Sequence, residues 1–158
     1  MIKIVNLAEC PQYLPVCANW FFNEWDKQKG RTIDEILYRT KHTVCRSGIP
    51  QIHVALDKDL PVGMFSIWNN DLVNRQDLSP WLAGLYVAPD YRGRGVGRSL
   101  QQKCIETARE CGYEKLYLYT EHENYYEKTG WEFMETAPLH GGEFVRIYQF
   151  DIKKRGKQ

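Results

Sequence analysis

The apolar positions at the start of the chain change from the spacing of a strand to that of a helix. Residues 2–5 form a short β-rich run, whereas apolar side chains between residues 11 and 26 recur at intervals of three and four. Thr32 and Glu35 then have the spacing of a capping box, which opens a second helix. This part of the chain therefore predicts a strand followed by two amphipathic helices.

The rest of the chain predicts a series of strands with one long helix among them. Strand-like runs lie at 52–56, 61–68, 81–87, 115–119, 131–135 and 144–152. The first two predict a hairpin, and the run 81–87 is apolar throughout, which predicts a strand buried on both faces. Helical spacing begins at Val96 and ends before Gly112, and 123–128 predicts a short helix. We therefore expect a single α/β domain, with a mixed central sheet of about seven strands and helices on both faces.

Length, charge and cysteine content limit the kind of protein this is. The length of 158 residues predicts one globular domain. The net charge of +1 gives no indication of nucleic-acid binding. Because four cations fall near its end, we interpret 153–158 as a solvated basic tail after a domain of residues 1–152. We find neither a membrane-spanning run nor a secretion signal, so we expect a cytoplasmic protein without membrane association. The five cysteines include no C-x-x-C pair, so we expect neither a disulfide nor a metal.

The segment 81–98 carries the clearest chemical signal. It reads WLAGLYVAPDYRGRGVGR, a strand and a turn followed by alternating glycines at the start of the long helix. Alternating glycines let consecutive N–H groups turn inward, and the helix adds the positive end of its dipole, so the segment predicts a diphosphate-binding loop. A dinucleotide motif fails because Arg98 and Leu100 stand where it needs glycine, and the chain has no G-K-[ST] of a Walker loop. The candidate binding residues are Arg92, Gly93, Arg94, Gly95, Val96, Gly97 and Arg98.

Two segments together resemble one known family. LYVAPDYRGRGVG with the helix after it, and YYEKTGWEF further along, are similar to the cofactor loop and the Y-x-K-x-G-[FW] segment of the GCN5-related N-acetyltransferases (GNATs). The resemblance implies the GNAT fold and the transfer of acetyl from acetyl-CoA, as cosubstrate, to an amine without a covalent enzyme intermediate. It also implies that Leu85, Tyr86 and Val87 lie along the pantetheine arm, that the Val87 amide polarises the thioester, and that Tyr126 is the general acid. Many relatives have Asn where this chain has Tyr119.

Tyrosine suits the acid role because a phenol with a pKa of about 10 keeps its proton at neutral pH. The adjacent Tyr125 would point about 100° away on a helix, so we assign it to packing. The general base stays open among Glu24, Glu121, His122, loop carboxylates Asp71 and Asp77, or a chain of ordered waters. Tryptophans can attract cations with their ring faces. Our candidates for the acceptor site are Trp20, Trp25, Trp68 and Trp81, with Glu24, His122 and the loop 140–142.

The identity of the acceptor also stays open. Without the four cations near its end, the chain has 17 basic and 20 acidic residues and is mildly acidic. A small cationic amine, such as a polyamine or an amino-sugar antibiotic, fits this charge and the tryptophan content. A peptide or protein N-terminus fits the compressed TEHENYY segment, which resembles some N-terminal acetyltransferases. A hypothesis from another class is a non-catalytic acyl-CoA-binding regulatory module. The sequence leaves open whether the chain forms a homodimer.

Overall fold

The structure is a computed structural model that describes residues 1–155. Within this range the strands are β1 (Ile2–Asn6), β2 (Gln51–Asp57), β3 (Leu60–Trp68), β4 (Trp81–Val87), β5 (Lys115–Thr120), β6 (Glu132–Pro138) and β7 (Phe144–Asp151). The α-helices are α1 (Leu14–Phe21), α2 (Ile33–Lys41), α3 (Val96–Glu110) and the single turn α4 (Ile152–Arg155). The predicted α/β class and the predicted order of the main elements are confirmed.

The strands form one mixed sheet that splits in its middle. Their order is β1-β2-β3-β4-β5-β7-β6, and the neighbouring pairs are antiparallel apart from β4 and β5. Those two strands run parallel and pair only between Trp81 and Tyr117. Because Trp81 is the first residue of β4, the rest of β4 runs on without β5 beside it. This split is the feature of the fold that matters most for the site.

Helices cover both faces of the sheet, as predicted. α1 and α2 pack on one face, where Phe21 and Ile36 join the buried residues of β2. α3 packs on the other face, where Leu100 joins buried residues of β3 and β5. We call these faces the α1 side and the α3 side. Burial of these apolar faces is the main force that holds the helices on the sheet.

The first predicted helix is shorter and less regular than expected. Residues 11–26 divide into a 3-10 turn (Pro11–Tyr13), α1, and a π-helical turn (Phe22–Asp26). π-Helical turns are rare and often lie at functional sites.

The capping box of α2 is confirmed: the Glu35 amide donates to Thr32 Oγ1 at 3.2 Å, and the Thr32 amide donates to Glu35 Oε2 at 2.7 Å.

Three further predictions need correction. The helix expected at 123–128 is a single 3-10 turn, Tyr126–Thr129, and the strand expected at 131–135 runs from Glu132 to Pro138. β4 is buried only over Trp81–Ala83, and its residues from Gly84 onward are half-buried. The apolar run predicted burial along the whole strand, whereas the split leaves one edge of the second half of β4 without a neighbouring strand.

The C-terminal segment is helical where it is described. The predicted basic tail begins inside α4, and Lys153 Nζ lies 3.1 Å from Glu114 Oε1. The last part of the predicted tail, residues 156–158, lies outside the described residues. No helix in the described part of the chain is long and apolar enough to span a bilayer.

Candidate active site

A bulge in β4 marks the start of the site. Ser66 of β3 pairs with Ala83 and Met64 pairs with Tyr86, so two residues of β4 face one residue of β3 between these pairs. The extra residue lies at Gly84, whose φ of +59° is left-handed. A β-carbon at Gly84 would lie 2.3 Å from Cε1 of Phe21, so α1 sits directly against the strand at this point. Only glycine combines this backbone conformation with so close a contact.

The second half of β4 offers its backbone to the split. The Ala88 amide donates to the Val62 carbonyl at 2.8 Å. Because antiparallel strands alternate between paired and outward-pointing residues, the N–H and C=O of Val87 point away from β3. The Val87 carbonyl accepts a hydrogen bond there from Arg92 Nε at 2.9 Å. Leu85, Tyr86 and Val87 are all half-buried, and they lie where β4 continues beyond its pairing with β5.

The predicted diphosphate loop folds as a nest of backbone amides. Gly93 and Gly95 have φ values of +74° and +82°, and Gly95 is the N-cap of α3. The first hydrogen bond of the helix runs from the Ser99 amide to the Gly95 carbonyl at 3.0 Å. The amides of Val96, Gly97 and Arg98 precede that bond, so they point out of the helix N-terminus. This arrangement is suited to an anion.

The arginines of the loop differ in what they contact. Arg92 bridges to β4 through Val87, and its guanidinium lies 5.8 Å from the Tyr86 ring centre. Arg94 lies 5.2 Å from the Tyr91 ring centre, and the Tyr91 hydroxyl donates to Asp57 Oδ2 at 2.8 Å. All three arginines, including Arg98, are exposed. Arg92 thus connects the loop to the strand.

Tyr126 lies on the α3 side of the sheet. Its ring packs against the α3-side core together with Leu85 and Val87. The ring centres of Trp131 and Tyr148 lie 6.0 and 6.1 Å away. Burial raises the pKa of Tyr126 well above its ordinary value. The phenol therefore holds its proton throughout the neutral range.

Gln101 anchors the turn that carries Tyr126, although no sequence motif singles it out. Its side chain is buried on α3, and its Oε1 accepts from Thr129 Oγ1 at 2.7 Å and from Trp131 Nε1 at 3.1 Å. The turn ends at Gly130, which has a φ of +94°. In the sequence, Gln101 cannot be distinguished from an exposed polar residue of the helix, because its partners Thr129 and Trp131 are distant in sequence.

The residues expected at the acceptor site separate into different environments. Trp20 is half-buried on the α1 side, 4.8 Å from Tyr86 between ring centres. Glu24 is exposed on the π-helical turn, and His122 is exposed just after β5. Trp81 is 0% exposed and donates from Nε1 to the Leu78 carbonyl. We therefore correct its assignment: Trp81 belongs to the core, where an acceptor cannot reach it.

The α1 side also carries a charged cluster. Asp26 is 3% exposed and accepts from Arg31 and Arg39. Arg39 is stacked 5.2 Å from the ring centres of both Phe21 and Trp68. Burial raises the pKa of Asp71 to about 7, against the opposing effect of nearby cations that include Arg39. Burial, with a smaller effect of Asp71, also raises the pKa of Tyr119. Sequence spacing could not show that these residues meet.

Within residues 1–155, no group of three or more His, Cys, Asp and Glu side chains is arranged to hold a metal ion. The features that the site does offer are the outward-pointing backbone of β4, the amide nest at the start of α3, and the Tyr126 phenol on the α3 side. Aromatic and acidic side chains lie across the sheet on the α1 side.

Comparison with known proteins is consistent with this geometry. No curated protein sequence matches the chain significantly. An aminoglycoside 6′-N-acetyltransferase complexed with coenzyme A has a similar structure, at 16% identity over 95% of this chain and 97% of that chain, with a TM-score of 0.76. A spermidine N-acetyltransferase chimera from Vibrio cholerae and hSSAT aligns at 17% identity over 99% of each chain, with a TM-score of 0.74. Another is yncA of Salmonella typhimurium, a proposed acetyltransferase solved with acetyl-CoA, at 17% identity, 96% and 93% coverage and a TM-score of 0.67.

At such low identity these structures show that the fold is shared and no more. The sequence itself gives the family: the profile of the Acetyltransferase (GNAT) family matches residues 14–131, which is most of the chain and includes β4, the nest and the Tyr126 turn. The resemblance inferred from the two motifs is thereby confirmed, and the chain belongs to the GNAT family of acetyltransferases.

Proposed function

We propose that the protein transfers the acetyl group of acetyl-CoA to a primary amine by direct attack in a ternary complex. The observation that carries this proposal is the split between β4 and β5 next to the amide nest. A thioester held along β4 from the α3 side would be open, through the split, to an amine on the α1 side. In a sheet without the split, the strand next to β4 would separate the amine from the thioester.

The cofactor would be held by backbone groups more than by side chains. The nest of residues 93–98 would receive the diphosphate, and the half-buried segment 85–87 would pair with the pantetheine arm. Two of the similar structures contain coenzyme A or acetyl-CoA, which supports the same cofactor here. Backbone N–H groups suit this task, because they are fixed by the fold before the ligand arrives.

The reaction needs one base, one oxyanion donor and one acid. An alkylammonium with a pKa of about 10.4 loses its proton at pH 7 at a cost of about 4.6 kcal/mol. The neutral nitrogen attacks the thioester carbon, and the Val87 amide would stabilise the resulting oxyanion by about 2.7–4 kcal/mol. As the C–S bond breaks, the thiolate would take a proton from Tyr126, which is protonated at neutral pH. The extra proton on the attacking nitrogen would then pass to the phenolate, which gives the neutral amide and restores the phenol. Our candidate for the base is Asp71, a carboxyl group near Asp26 and Arg39 on the α1 side, where burial raises its pKa to about 7.

A small cationic amine is the acceptor that we favour. Trp20 and Tyr86 present aromatic faces on the α1 side, and Glu24 and Asp71 add carboxyl groups to that side. Ring faces and carboxylates both attract ammonium groups. Among the similar structures are enzymes named for aminoglycosides and for spermidine, which supports the same acceptor class.

An acceptor screen would test the substrate class. Purified protein and acetyl-CoA are incubated with a panel of polyamines and amino sugars and with a panel of peptides, and release of free thiol is followed. We expect turnover in the first panel. Turnover of peptides alone would instead identify a peptide N-terminus as the acceptor. Coenzyme A binding without turnover in either panel would support the non-catalytic acyl-CoA-binding module.

The cofactor site has a separate test in Gly95. No atom lies within 4 Å of its missing β-carbon, so Gly95→Glu would place a carboxylate in the open nest, where it would repel a diphosphate. Gly112→Glu is the matched control, because Gly112 has a similar φ of +85° and open surroundings after the other end of the same helix. We expect calorimetry to detect coenzyme A binding by the wild type and by G112E but not by G95E. Equal binding by both variants would contradict the proposed diphosphate site.

A further inference from the structure

Tyr125 lies where a cofactor-binding residue would lie, although its sequence position suggested packing. It immediately precedes the Tyr126 turn, and Asn124 before it has a left-handed φ of +60°. Its side chain is 46% exposed. The hydroxyl oxygen is 3.0 Å from the position that a β-carbon of Gly97 would occupy. The phenol therefore extends from the start of the Tyr126 turn to the first turn of α3.

Gly97 lies at the point where the Tyr125 hydroxyl approaches both α3 and β4. The same missing β-carbon would lie 3.7 Å from Cγ2 of Val87, so Gly97 leaves a narrow space between α3, β4 and the Tyr125 hydroxyl. A ligand arm that ran from the Val87 backbone to the amide nest would lie beside this space. A side chain at position 97 would fill it and would press on Tyr125.

The two adjacent tyrosines face different parts of the site. Their rings are nearly perpendicular, at 89°, with centres 4.9 Å apart. Tyr126 turns inward to Trp131 and Tyr148. Tyr125 turns outward, and its hydroxyl ends beside the outward-pointing amides at the start of α3. A phenol can donate a hydrogen bond, and donation to an anionic oxygen is stronger than donation to a neutral one.

We propose that Tyr125 is a cofactor-binding residue, whose side chain forms the outer wall of the channel between β4 and α3 and whose hydroxyl donates a hydrogen bond to the diphosphate of coenzyme A. This inference rests on the proposed function, because it requires coenzyme A in the nest. In this proposal Tyr125 contacts the diphosphate end of the cofactor, and Tyr126 acts at the thioester end.

The test compares two ligands in two variants. Coenzyme A and pantetheine, which lacks the diphosphate, are titrated into wild type, Tyr125→Phe and the matched control Tyr38→Phe, whose side chain is exposed on α2. For Y125F we expect the coenzyme A Kd to rise about 10-fold, which corresponds to the loss of one hydrogen bond to a charged group. The pantetheine Kd should stay within about 2-fold, and Y38F should match the wild type for both ligands.

Other outcomes separate the inference from the proposed function. If the wild type binds coenzyme A and Y125F binds it equally well, or loses affinity for both ligands alike, the assignment of Tyr125 is wrong. Tighter binding by Tyr125→Ala than by wild type would also overturn it, because the side chain would then obstruct the channel. Failure of the folded wild type to bind coenzyme A would refute the proposed function itself.

Discussion

Replacing Gly84 by Ala tests the contact that joins α1 to the bulge of β4. The substitution introduces one methyl group and changes no polar group. Gly84 has a φ of +59°, and the new methyl carbon would lie 2.3, 3.1 and 3.2 Å from Cε1, Cζ and Cδ1 of Phe21. We expect a large loss of stability, and its two causes can be measured separately.

The expected loss is the sum of backbone strain and overpacking. A left-handed conformation at a residue other than glycine costs about 1–2 kcal/mol. Phe21 is 2% exposed and is held between Trp25, Trp68 and Arg39, so its ring cannot swing away freely. Forcing an extra methyl group into such a core costs about 1–3 kcal/mol. G84A should therefore lower the free energy of unfolding by about 2–5 kcal/mol.

Gly112→Ala isolates the strain. Gly112 has a φ of +85°, and no atom lies within 4 Å of its missing β-carbon. G112A should therefore show the strain of about 1–2 kcal/mol without the overpacking. The free energy of unfolding of each variant is measured by urea denaturation monitored by tryptophan fluorescence.

A second change tests whether Phe21 is the cause of the overpacking. Phe21→Leu removes the ring atoms nearest to the new methyl group, so G84A should cost less in the F21L background than in the wild type. Equal losses in G84A and G112A, with no relief by F21L, would refute the reasoning. Such a result would mean that the close contact at Gly84 does not constrain α1.

Two further predictions concern the proposed acid and base. Tyr126→Phe should lower kcat by at least about 100-fold at neutral pH and leave the coenzyme A Kd nearly unchanged; an unchanged kcat would remove Tyr126 from proton transfer. Burial raises the Asp71 pKa from 3.8 to about 7, so ionisation opposes folding increasingly as pH rises between these values. The Tm of Asp71→Asn relative to wild type should therefore rise over that interval and then level off, and a pH-independent difference would contradict the raised pKa.

Local signals in the sequence predicted most of the elements correctly. The capping box of α2 involves residues three apart, and the end of α3 depends on one left-handed glycine, Gly112. Each feature is decided by a few neighbouring residues, so a sequence motif identifies it. The nest of residues 93–98 is of the same kind, because its glycines set the backbone conformation locally.

The features that sequence could not predict depend on contacts between distant segments. The sheet splits where β5 stops pairing with β4, and the sequence of β4 contains no signal that marks this position. Gln101 meets Thr129 and Trp131 only after α3 and the later turn have packed together. Residue type alone makes Trp81 a candidate for the acceptor site, whereas the structure buries it and pairs its Nε1 with the Leu78 carbonyl. Side-chain chemistry alone therefore identifies candidate site residues but does not predict their burial or their contacts.

The bulge at Gly84 also sets which side of the sheet each later residue of β4 faces. Leu82 packs on the α3 side, and strict alternation would place the residues at even positions after it on that side as well. The observed pattern is the reverse: Leu85 and Val87 pack on the α3 side, and Tyr86 packs on the α1 side beside Trp20. One extra residue in the strand reverses the alternation. The bulge thus turns the Tyr86 ring toward the proposed acceptor side, while the half-buried backbone of the same segment lies along the split.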